Sequence, residues 1–211
     1  MTESNPTTPR FILASSSPRR RELLASLNIP FAVIKPDVDE TQHQGEPPLD
    51  YVERLSQEKA QAVAEQIAAP ALVLAADTIV LLAADTIGIF DDEILGKPAN
   101  ENDARSMLRR LRGRAHTVCT ALTLRHMNGT QSARTLTRIT QTTVYMRDYS
   151  EAEIDAYIAT GDPFDKAGSY AIQHQGFHPV ARIEGSQTNV VGLPIETLNA
   201  MLVEIGFPGV L

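Results

Sequence analysis

The chain has 211 residues, 43% of them hydrophobic and 21% charged, which suffices for one sizeable core and is too short to make two ordinary domains the starting expectation. Its formal charge of −7 argues against a general affinity for nucleic-acid backbones, and the single Cys119 can form neither an internal disulfide nor a cysteine-rich zinc site. No stretch reaches the ~20 apolar residues of a membrane-spanning helix and the polar start is no secretory signal, so a soluble cytoplasmic protein without a membrane partner is expected.

Residues 1–10 show no periodicity and read as a disordered tail ahead of a single domain, 11–211. Phe11 to Ser15 reads as a buried strand. Ser17 then caps a helix with Pro18 in its first turn and Leu23, Leu24 and Leu27 on one stripe. Phe31 to Ile34 is a second strand candidate, followed by an acidic turn at Asp37, Asp39 and Glu40 and a polar loop to Pro47 that suits a mobile lid. An amphipathic helix is predicted from Leu49 to about Ile67, and a central strand from Ala71 to Ala84, apolar except at Asp77 and Thr78. Asn100 caps the next helix, and Gly113 lies past its end. Strands at about 116–126 and 132–147 flank the hairpin signal Asn128-Gly129. Ser150 to Glu153 is a capping box, with the helix stopping at Gly161. Strands near Tyr170 to Gln173 and Val180 to Ile183 and a final helix from Pro194 to Ile205 complete an α/β chain, a mixed sheet with helices packed on it.

The chemistry begins at Ser15-Ser16-Ser17-Pro18-Arg19-Arg20-Arg21. Three arginines at a helix N-terminus oppose the macrodipole at a cost of ~0.3–1 kcal/mol each when exposed. They make sense where the turn receives a polyanion, with free N–H groups, hydroxyls and guanidinium forks converging on phosphate. A solvated arginine run is the alternative. Lys59 falls on the apolar stripe of its helix, four residues from both Leu55 and Val63. It is either a lysine whose head escapes to water or a charge at a cleft floor. Asp77 interrupts an apolar strand and needs a cation, a metal or several donors. It suits a general base or a hard ligand, and equally a strand-end cap. Lys97 stays open between loop lysine and phosphate contact. Asp162 and Asp165 suit a metal or an orienting partner for Lys166, and Gln173 the edge of a pyrimidine base, although an ordinary polar loop fits as well.

Seven segments in order, ILASSSPRRRELL at 12–24, PDVDE at 36–40, YVERLSQEKA at 51–60, LAADTIV at 74–80, EILGKP at 93–98, DKAGSYAIQ at 165–173 and NVVGLP at 189–194, resemble the Maf family of nucleotide pyrophosphatases from about Phe11 to Ile205. The resemblance implies an inosine-triphosphate-pyrophosphatase-like fold, an elongated mixed sheet with two lobes and a central cleft. It implies cleavage of a nucleoside triphosphate to monophosphate and pyrophosphate, a divalent cation such as Mg2+ or Mn2+, and a homodimer. Asp77 is the implied proton acceptor. Ser15, Arg20, Lys59, Lys97 and Lys166 are the implied phosphate contacts, and Glu40 with Asp77 the implied metal ligands, with Asp165 a further candidate. Arg19, Thr78 and Gln173 look like the selecting positions of the subgroup acting on dTTP and UTP. The duplication LAADTIVL and LAADTIGI offers Asp85-Thr86 as a rival pair, but Val80 matches the family pattern better than Gly88. A pyrophosphatase for modified nucleotides and a nucleotide-binding regulator of cell division are the competing expectations.

Overall fold

The computed structural model describes residues 10–68, 70–82 and 93–207. Residues 1–9 of the expected tail and the duplicated Asp85-Thr86 lie outside them, while Arg10, expected to end the tail, opens the first strand. Seven strands form one mixed sheet: β1 (Arg10–Ala14), β2 (Phe31–Val33), β3 (Ala71–Leu82), β4 (Glu93–Leu95), β5 (Ala115–Asn128), β6 (Gln131–Met146) and β7 (Val180–Glu184). Their order is β2-β1-β3-β5-β6-β7, with β4 paired to β3. β1 is parallel to both β2 and β3, and the remaining pairings are antiparallel.

Local chemistry explains most helix boundaries. In α1 (Pro18–Ala25) the Ser17 hydroxyl accepts from the Arg20 amide and Pro18 sits in the first turn. Asn100 caps α3 (Glu101–Leu111) through the Asp103 amide, and Ser150 and Glu153 form a reciprocal capping box on α4 (Glu151–Ile158). α2 (Pro48–Ala64) opens on prolines instead of a polar cap. The hairpin turn falls on Gly129-Thr130, one residue later than expected, because Asn128 still pairs with Gln131. Two short helices, α5 (Gln187–Val191) and α6 (Ile195–Ile205), close the chain.

Strand alternation sorts the core. Leu72, Leu74 and Ala76 of β3 point to one face, where Leu122, Leu124 and α6 residues Leu198, Met201 and Leu202 cover them. Farther along the same face Val80 and Leu82 pack with Val118, Val144 and the apolar sides of α3 and α4. Thr78 belongs to neither cluster, so this face divides into two lobes at that residue. The opposite face is covered by α2, which packs Ala60 and Val63 on Val73 and Ala75, and Val52 on Ile79 and Leu81.

One expected strand is corrected. Residues 170–173 are turn and irregular backbone, following two 3-10 turns at Asp162–Asp165 and Ala167–Ser169. Gly168 and Ser169 take left-handed φ of 71° and 62°, which turns the chain away from any ladder before Tyr170 enters the core. A Cβ at Gly168 would come within 3.2 Å of Val80, so the backbone passes directly over β3.

Candidate active site

The site is a notch in the edge of β3. On the side away from β5, β3 pairs with β1 over Ala71–Ala75 and with β4 over Val80–Leu82. Residues 76–79 have no strand partner there among the described residues. Beyond Ala14 the chain leaves β1 through Ser15 and Ser16 into α1, so the helix N-terminus with its arginines sits against the notch, where a βα turn offers anion-binding donors.

Because side chains alternate along a strand, Asp77 and Thr78 face opposite sides of the sheet; their partners across β5 are Ala121 and Thr120. Asp77 therefore meets α2. Its Oδ1 lies 2.6 Å from Lys59 Nζ, and the same ammonium reaches Glu40 Oε1 at 2.8 Å. Lys59 is 5% exposed and Asp77 8%, so the sequence's open question about Lys59 is answered: its head is held inside rather than escaping to water. Thr78 meets α1. Its Oγ1 accepts from Arg20 Nη2 at 3.0 Å, while Arg20 Nε donates to the Gly192 carbonyl at 2.8 Å and Nη1 to Ser15 Oγ at 3.4 Å.

Charge and burial compete here. Burial raises the Asp77 pKa above the ordinary carboxylate value, opposed by the charges of Lys59 and Arg20. Burial also pushes Glu40 upward, but the hydrogen bond and charge of Lys59, with Lys97 and Arg20 beyond, carry its carboxyl below the usual range. Burial lowers the Arg20 pKa, and Asp77 opposes that effect.

Across the cleft, Arg19 Nη1 donates to Asp165 Oδ2 at 3.1 Å and ties α1 to the other lobe. Lys166 Nζ is engaged by the Asp162 carbonyl, by Asp162 Oδ1 at 2.8 Å and by Asp165 Oδ1 at 2.6 Å, which occupies its three donors. Burial acts upward on Asp162 and Asp165, yet the Lys166 contacts bring both carboxyls below the ordinary value. Lys97 and Gln173 are exposed residues on the cleft wall. Thus Ser15, Arg19, Arg20, Glu40, Lys59, Asp77, Thr78, Lys97, Lys166 and Gln173, drawn from remote segments, all line one cleft of about 660 Å3.

Several supporting groups carried no sequence expectation. Tyr51 donates its hydroxyl proton to the Glu40 carbonyl at 2.8 Å, and Arg54 binds the Glu46 carboxylate and the Thr41 carbonyl. The polar loop to Pro47 that was expected to suit a lid is thereby fastened to α2 through Thr41 and Glu46. The Gly192 carbonyl and Thr120 also escaped notice; NVVGLP marked the first of these without showing its contact.

A family model described as Maf-like protein matches residues 10–205. A dTTP/UTP pyrophosphatase of Anaeromyxobacter dehalogenans is 46% identical over 200 residues, covering 95% of this chain and 96% of that protein. A dTTP/UTP pyrophosphatase of Dictyoglomus thermophilum is 42% identical over 198 residues, covering 93% and 96%. Among solved structures, a HAM1 protein from Coxiella burnetii aligns with a TM-score of 0.50 at 17% identity, covering 93% of this chain and 99% of that one, a likeness of fold alone. With its seven-stranded mixed sheet, its cleft between lobes and a family match spanning nearly its whole length, the chain belongs to the Maf family.

Proposed function

We propose that this protein hydrolyses dTTP and UTP to the nucleoside monophosphate and pyrophosphate, clearing nucleotide pools in the cytoplasm, and that it works as a homodimer. The observation that carries the reading is the convergence of Arg19, Arg20, Lys59 and Lys97 with the buried Asp77 in one cleft. Such a gathering of cations in a polar cleft suits a triphosphate, whose charge compensates their mutual repulsion. The relatives named dTTP/UTP pyrophosphatase, at 42–46% identity, support the choice of nucleotide. Among the described residues no helix is long and apolar enough to cross a membrane.

Asp77 is the group placed to orient a water and take its proton. Burial strengthens it as a base, and Lys59 and Arg20 favour the ionised form that a base requires. Arg20 is braced from three sides and so presents its charge to the phosphates without reorganisation, in the bound triphosphate as in the attack on the α-phosphate that releases pyrophosphate. Arg19, Lys97 and Gln173, lying farther out, are placed to meet the remaining phosphates and the base. Glu40 and Asp77, whose carboxylates are brought close together by their common partner Lys59, are the hard oxygen ligands that would hold a divalent cation such as Mg2+ or Mn2+. Bound there, the cation would neutralise phosphate charge. Asp165 is less suited, its oxygens being taken by Lys166 and Arg19.

The test is to incubate the protein with a panel of nucleoside triphosphates and Mg2+ and identify the products. Monophosphate plus pyrophosphate from dTTP and UTP is expected. Diphosphate plus orthophosphate would overturn the reaction class, a preference for modified purines the substrate, and binding without turnover would favour the regulator.

A further inference from the structure

Resting on that reading of the cleft, we propose that Thr120, a residue of β5 that touches no part of the cleft surface, is a positioning residue that holds Thr78 as a hydrogen-bond acceptor and through it fixes the guanidinium of Arg20.

Thr120 is fully buried and is absent from the cleft lining, whereas Thr78 and Arg20 both line it. The two threonines sit opposite one another on β3 and β5, their hydroxyl oxygens 2.9 Å apart. Thr120 Oγ1 also lies 3.2 Å from the Asn189 carbonyl, which can only accept. A hydroxyl has one proton, and that of Thr120 goes to this carbonyl. The proton between the threonines must then come from Thr78. Thr78 in turn has none left for the cleft, and its lone pairs face Arg20 Nη2 at 3.0 Å. Proton counting along this line leaves one direction: Arg20 donates to Thr78, Thr78 to Thr120, and Thr120 to Asn189.

The same residue steadies the second anchor of Arg20. Asn189 lies in α5, where its Nδ2 donates to the Val118 carbonyl and to Thr142 Oγ1 at 3.0 and 2.9 Å. Three residues on, the Gly192 carbonyl accepts from Arg20 Nε at 2.8 Å. Thr120 thus joins both holders of the fork, the Thr78 hydroxyl and the α5 segment, from the neighbouring strand on the same face of the sheet. A chain of aligned hydrogen bonds in a dry interior is stiff, and a missing member leaves its neighbours unsatisfied.

Thr120→Val keeps the shape and removes the hydroxyl, while Thr120→Ser keeps the hydroxyl. With dTTP and UTP, Thr120→Val is expected to raise KM about tenfold with a smaller change in kcat, and to alter the ratio of kcat/KM between these nucleotides and the others of the panel. Thr120→Ser is expected to stay within about twofold of the wild type. A crystal structure of the valine variant is expected to show the Arg20 guanidinium displaced from Thr78. If Thr120→Val lowers the melting temperature but leaves KM and the substrate ratios unchanged, or if serine fails to restore them, the residue merely supports the fold and the proposal is overturned. A wild-type protein that turns over no triphosphate would instead overturn the reading of the cleft on which the proposal stands.

Discussion

The ammonium of Lys59 lies 2.6 Å from Asp77 Oδ1 and 2.8 Å from Glu40 Oε1, so one helix cation joins a strand carboxylate to a loop carboxylate. Asp77→Asn keeps the shape and removes the base. Turnover is expected to fall by at least ~10³-fold, while calorimetric affinity for a non-hydrolysable triphosphate changes little. Lys59→Met strands Asp77 in a buried position, and loss of ~3–5 kcal/mol is expected in denaturant unfolding. The double variant Lys59→Met/Asp77→Leu is expected to regain much of that stability and none of the activity.

Gly192 has φ 112°, a region L side chains rarely adopt, and its carbonyl holds Arg20. A Cβ there would meet Thr78 Oγ1 at 3.4 Å and Arg20 Nε at 3.5 Å, ordinary contacts, so the strain is in the backbone. Gly192→Ala is expected to cost ~1–3 kcal/mol by thermal unfolding and to raise KM for the triphosphate.

The ion pair of Arg19 with Asp165 is partly open to solvent, with the Asp165 side chain 60% exposed. Arg19→Ala should therefore change stability by less than ~1 kcal/mol. Its effect is expected in KM for dTTP, rising at least fivefold; an unchanged KM would remove Arg19 from the nucleotide.

His116 is buried, and its Nε2 lies 2.7 Å from the Tyr170 hydroxyl, while Nδ1 has no hydrogen-bond partner among the described residues. Burial pushes its pKa down from 6.5 to about 4. Between these values the unfolded chain binds a proton that the folded chain refuses, so the contribution of the neutral ring is full above about 6.5 and lost as pH falls to about 4. Melting temperatures from pH 7 to pH 4 should decline less steeply for His116→Gln than for the wild type.

Chelation by EDTA is expected to abolish hydrolysis, and Mg2+ or Mn2+ to restore it. The melting temperature should hardly move, because Lys59 already compensates both Glu40 and Asp77. A chelator-resistant rate would remove the metal from the proposal.

Much of this was legible in order along the chain. The cap at Ser17, the capping box at Ser150 and the apolar face of α2 are local patterns, and each element formed where its pattern lay. The strand expected at 170–173 failed because Tyr170, Ala171 and Ile172 read as a short apolar strand, whereas left-handed backbone at Gly168 and Ser169 had already turned the chain. β4 is three residues long and carries too little pattern to be read alone.

The sequence by itself determined which residues are out of place: arginines at a helix N-terminus, a lysine on an apolar stripe and an aspartate within a buried strand. Each departs from what solvation and helix electrostatics favour, and such departures are visible without coordinates. Only the tertiary structure decided what compensates them. Strand pairing sends Asp77 to Lys59 and Thr78 to Arg20 on opposite faces, and brings Thr120 and the Gly192 carbonyl behind the arginine from 100 and 172 residues away. Partners so distant in the chain leave no spacing to read, since register and side-chain direction are set by the assembled sheet.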